Sequence, residues 1–157
     1  MIEDPGDVPR RPPEQITRNL AELLQELRVM QTGVQILTGF LLTVPFTDRF
    51  AALEKHEERI YLGILLAAVL TTLVIVAPVA YHRLLFRQDR RDWLVAAAHL
   101  CSLAGLTGIA LVSGAVVFLV FDIVVGTTGA VIAGAAVALA SLGLWAAVPL
   151  SERGRRR

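Results

Sequence analysis

Four long apolar stretches, at 29–46, 60–80, 94–121 and 128–150, are separated by three short polar breaks. About 20 mostly apolar residues in a helix cross the ~30 Å hydrocarbon core of a bilayer, and each stretch is of that order. Lipid supplies no hydrogen-bond partners, so a spanning segment must satisfy its own backbone, which a helix does and a lone strand cannot. The expected fold is therefore all-α. It is a polytopic membrane protein with four transmembrane helices in two antiparallel hairpins, preceded by an N-terminal amphipathic helix. Composition agrees: the 157 residues are 55% hydrophobic and 18% charged, and the mean hydropathy is +0.60. Soluble domains carry roughly 25% charged residues.

Residues 1–13 hold four of the seven prolines (Pro5, Pro9, Pro12, Pro13) and are expected to form a disordered tail. The acidic start shows no secretory signal. A single four-helix transmembrane domain is expected over 14–150, with helices at 14–46, 58–82, 93–121 and 127–150, and a basic cytoplasmic tail over 151–157. Pro13 suits a first helical position, where its missing N–H costs nothing. From there Ile16, Leu20, Leu23, Leu24, Leu27 and Met30 recur at steps of three and four. This surface helix should continue into the first span. There Gln25, Arg28, Thr32, Gln35, Gly39 and Thr43 share one face. A polar stripe inside a span should face protein or water: it either bonds a neighbouring helix or lines a solute path.

The first break, 47–59, carries both signs of charge, and His56 within it reads as solvated. Pro78, near the inner end of span two, can be accommodated because neighbouring groups satisfy the carbonyl it frees. The second break, 81–93, alternates arginine with aromatic residues, a pattern suited to lipid headgroups rather than nucleic acid. Asp122 and Gly126-Thr127-Thr128-Gly129 are the only turn signals between spans three and four, so a tight hairpin is expected, with Asp122 capping or bonding the turn. Small residues at four-residue steps, Ala104 and Gly108, Ala110 and Gly114, and Ala130, Gly134 and Ala138, predict close helix packing within the chain or between copies, as does Gly39 in span one.

Twelve of the fifteen basic residues fall in the N-terminal segment, the second break and the C-terminal tail. Only Arg49, Lys55 and Arg59 fall on the other side. Basic loops stay cytoplasmic, so both termini are expected inside. That imbalance also argues against an antiparallel, dual-topology dimer of the small multidrug exporter type. Cys101, the single cysteine, reads as a small buried apolar residue.

Polar groups gather toward the inner side: Glu26, Arg28 and Gln31 at the entry to span one, Gln35 deeper, His82 ending span two and His99 in span three. A histidine at that depth can bond a neighbouring helix, relay protons or, with His82, hold a metal. These six residues are the candidate ion or proton pathway. Asp and Glu are absent from the middle of all four spans, where cation–proton exchange usually needs one. No nucleophile elbow, HExxH, phosphate loop or cysteine pair occurs, so no enzyme, cofactor or metal centre is expected.

The text Glu-Leu-Leu-Gln-Glu-Leu-Arg-Val-Met-Gln-Thr-Gly-Val-Gln-Ile-Leu at 22–37, Leu-Leu-Thr-Val-Pro-Phe at 41–46 and Ala-Pro-Val-Ala-Tyr-His-Arg-Leu-Leu-Phe-Arg at 77–87 resembles a family of small four-span bacterial membrane proteins of unknown function. That family is best represented in actinobacteria, and its members are sometimes labelled sodium:proton antiporters by automated transfer. The resemblance covers 14–92 and brings no catalytic or ion-binding residues with it. Two readings follow. One is a structural or accessory membrane protein, homo-oligomeric or bound to another membrane partner; the other is a small proton- or sodium-coupled transporter.

Overall fold

The structure is a computed structural model that describes residues 13–85 and 91–147. The expected tails, apart from Pro13, and Arg87 and Arg90 of the second break lie outside the described residues. Helix α1 (Pro13–Thr43) is followed by two 3₁₀ turns (Val44–Phe46 and Phe50–Ala52), then α2 (Lys55–Leu85), α3 (Arg91–Val125) and α4 (Thr127–Leu142), which ends in a π-helical turn (Gly143–Ala147). Among the described residues there is no strand, and four helices are long and apolar enough to cross a membrane. The surface segment and the first span form one helix. At 35 residues, α3 is about 52 Å long, well beyond the bilayer core, so it tilts or projects from it.

Three of the helices share one packing rule. The buried residues of α1 are Leu27, Val34 and Leu41, seven apart, with Met30 and Leu37 partly buried between them and Val44 partly buried just past the helix end. Those of α2 are Tyr61, Ile64, Ala68, Thr71, Ile75 and Pro78, at alternating steps of three and four. On α3 the spacing of seven returns at Ala98, Gly105, Val112 and Leu119. A contact seam that repeats every 3.5 residues is the knobs-into-holes pattern of helices crossing at roughly 20°. The α1 seam rests on both α2 and α3.

Close approach is concentrated between α2 and α3. A Cβ on Gly105 would lie 2.7 Å from Ile75, and one on Gly108 would lie 2.5 Å from Thr71 Oγ1. Partners fall in number along α2 as they rise along α3, so the two helices run in opposite directions. Because α3 packs on α1, α2 and α4, the fold is centred on α3.

The ends are closed by identifiable groups. Pro45 has no N–H to offer the carbonyl of Leu41, one helical turn back. The buried Tyr61 hydroxyl donates to that carbonyl instead, tying α2 to the end of α1. Phe50 stands edge-on to the Tyr61 ring, with centroids 5.1 Å apart. At the opposite end Tyr81 and Trp93 meet at 5.7 Å, an amphipathic aromatic pair of the kind that sits at a membrane interface. Gly126 alone joins α3 to α4. Its φ of +93° is left-handed backbone, which glycine adopts without strain. Its N–H bonds Phe121 and Asp122 carbonyls while its own carbonyl accepts from Ala130.

Candidate functional site

The α1 seam turns the polar stripe outward. Gln25, Arg28, Thr32, Gln35, Gly39 and Thr43 are all exposed. Thr32 and Thr43 return their hydroxyls to the carbonyls of Arg28 and Phe40. The carboxamide of Gln35, near the middle of the Ala21–Phe46 span, has no hydrogen bond among the described residues. The stripe thus neither packs inside the fold nor lines an internal path.

The inner candidates are not drawn into one site. Glu26, Arg28 and His99 are exposed, Gln31 is half-buried, and no hydrogen bond or ion pair joins these residues or Gln35 to one another among the described residues. His82 is half-buried and has a partner.

The small residues divide by position. Gly108 meets Thr71; Gly114 and Gly134 face each other across α3 and α4, with Gly134 against Phe118; and Ala130 is fully buried. In contrast Ala104 and Gly39 are exposed, and an added Cβ on Gly39 would meet nothing within 4 Å. Ala138, also exposed, borders a cleft of about 360 Å³ beside Thr107 and Trp145. The α2-facing glycine one position after Ala104 is Gly105, which the four-residue spacing alone misses.

A different polar cluster is assembled at the end of the bundle away from Trp93. Glu54 lies one residue before α2, and its N–H donates to Glu57 Oε2 at 2.7 Å, the reciprocal half of a capping box. His56 Nδ1 lies 3.4 Å from Glu54 Oε2, and Nε2 lies 3.4 Å from Asp122 Oδ2. Asp122 takes a 2.9 Å hydrogen bond from the Thr127 hydroxyl on its other oxygen, and its side chain is only 6% exposed. One donor atom each from His56, Glu57 and Asp122 lies within 4.8 Å of the others, so these three could hold a metal ion. Glu54 and Glu57 also border a mainly apolar cleft of about 580 Å³ lined by Phe40, Val44, Phe50 and Ile123. His56 stays more than half exposed, as the solvated reading expects, and in addition contacts two carboxylates. The sequence held one signal for this: Asp122 is an acid at the end of an otherwise uncharged span. Nothing in the spacing links it to a histidine 66 positions earlier.

Four long apolar helices with their widest apolar surfaces turned outward define a multi-pass α-helical membrane protein. The chain belongs to DUF6328, a family of unknown function, whose model matches residues 10–149. No curated protein and no solved structure matches it.

Proposed function

We propose that this protein is a non-enzymatic, multi-pass component of a bacterial cytoplasmic membrane, with both termini in the cytoplasm, and that it works by assembling with a second copy through α1. The observation that carries the reading is Gln35, a carboxamide at mid-span on the outer face of the fold. An unsatisfied polar group facing hydrocarbon costs several kcal/mol. The apolar seam of α1 is already occupied by α2 and α3, and among the described residues nothing else meets the stripe, which leaves it to a partner outside the chain. A glutamine amide both donates and accepts, which lets Gln35 pair with itself across a two-fold axis. Gly39, one turn on and open to its surroundings, permits the close backbone approach on which helix association in lipid depends. The twelve-to-three distribution of basic residues supports a single orientation and hence a parallel pair of α1 helices.

The test is cysteine cross-linking in native membranes, in a Cys101→Ala background. Gln35→Cys should form a disulfide-linked dimer, whereas Leu66→Cys, exposed on α2, should not. Gln35→Leu should reduce the dimer fraction in detergent. A monomer that fails to cross-link through residue 35 would refute the reading. Sodium or proton flux in liposomes, lost in His99→Ala, would replace it with the transporter reading.

A further inference from the structure

The geometry points to a divalent transition-metal site, of the zinc type, formed by His56, Glu57 and Asp122 where the start of α2 meets the turn between α3 and α4. This inference is independent of the assembly proposed above.

Three observations converge on it. The first is spacing. At 3.4 Å, His56 Nε2 and Asp122 Oδ2 are too far apart for a good N–H···O bond. Two ligands at ~2.0–2.1 Å from a tetrahedral ion are separated by about 3.4 Å. The imidazole and carboxylate already stand as two corners of such a site, and Glu57 comes within 4.8 Å of both.

The second is orientation. Metal-binding histidines generally hold their other ring nitrogen against a carboxylate or carbonyl. Here Glu54 faces Nδ1 and leaves Nε2 directed at Asp122. Glu57 is held by the Glu54 N–H, and Asp122 by the Thr127 hydroxyl. Each ligand is therefore positioned by a neighbour while retaining a lone pair for the ion.

The third is charge. The Asp122 side chain is more than nine-tenths buried, which is costly for a carboxylate without a strong partner. Its partners are the Thr127 hydroxyl and an imidazole 3.4 Å away. Among the described residues, no lysine or arginine pairs with Glu54, Glu57 or Asp122. A dication would supply the positive charge that no lysine or arginine provides there. An imidazole beside carboxylates favours zinc-like ions over magnesium or calcium, which prefer all-oxygen sites.

The test uses the full chain in detergent, stripped with chelator, in a Cys101→Ala background that removes the only thiol. Cobalt(II) is titrated and followed by its visible absorption, then displaced with zinc. One equivalent of cobalt should bind with a low-symmetry, four-coordinate spectrum. His56→Gln and Asp122→Asn should each weaken binding at least tenfold, and His99→Gln should leave it unchanged. Asp122→Asn keeps an oxygen for Thr127, and circular dichroism checks that each variant is folded; Glu57→Gln provides a third variant. Absence of saturable binding to the parent chain would overturn the site. So would equal affinity in folded His56 and Asp122 variants, which would mark the binding as adventitious, or a cluster that acts only as an ion pair.

Discussion

Replacing Gly108 with alanine puts the packing of α2 on α3 to a quantitative test. The new methyl group would lie 2.5 Å from Thr71 Oγ1, 2.8 Å from its Cγ2 and 3.1 Å from its Cβ. Carbon contacts settle at ~3.5–4.0 Å, so the shortfall is close to 1 Å. Thr71 cannot swing clear: both branches of its Cβ face the glycine, and its hydroxyl is bonded to the Ala67 carbonyl at 2.8 Å. Overpacking of this kind costs about 1–3 kcal/mol. Alanine also stiffens the helix backbone, a gain of roughly 0.8–1.0 kcal/mol. Gly63→Ala isolates that second effect, since its Cβ would meet nothing within 4 Å. Reversible unfolding in mixed detergent micelles should therefore place Gly108→Ala about 1–3 kcal/mol below Gly63→Ala. Adding Thr71→Ala removes the two nearest atoms and should recover most of the loss. Equal stability of the two glycine variants, or a Thr71→Ala change equally damaging in both backgrounds, would refute the contact.

Three further outcomes follow from the same packing. Tyr61→Phe leaves the Leu41 carbonyl with no donor, because Pro45 cannot replace it, and should cost about 1–3 kcal/mol in the same unfolding assay; an unchanged midpoint would mean another group satisfies that carbonyl. Gly134→Leu drives a bulky side chain toward Phe118 and the Gly114 carbonyl and should loosen α4 selectively, read as faster backbone hydrogen exchange in α4 with α1–α3 protection retained. Reporter fusions after residue 157 and within the Gly126 turn should report opposite sides of the membrane, with the C-terminus inside; the reverse pattern would contradict the charge-based orientation.

The heptad seams were hidden in the sequence for a definable reason. On α1 the buried Leu27, Val34 and Leu41 alternate with a polar face, so a helical pattern was visible there. On α2 and α3 the outward residues are as apolar as the inward ones: Leu62, Leu66 and Leu73 are exposed beside the buried Ile64, Ala68 and Ile75. Hydrophobicity does not distinguish a lipid-facing side from a protein-facing side. Residue size does so only in part, which is why Ala104 was as good a candidate as Gly105. The polar stripe on α1 was legible as a stripe, but its direction was not.

Local chemistry along the chain determined the helical class, the four apolar spans, the helix opening at Pro13 and the glycine turn between the last two helices. Backbone hydrogen bonding in lipid leaves a long apolar segment no other solution, and that constraint acts within each segment separately. The tertiary structure alone decided which helix became the hub, that Gln35 looks out of the fold, and that His56 meets Asp122. Those results depend on side-chain shape matched between helices far apart in number. In a bilayer, packing of that kind replaces the hydrophobic force that would otherwise mark the inside from the outside.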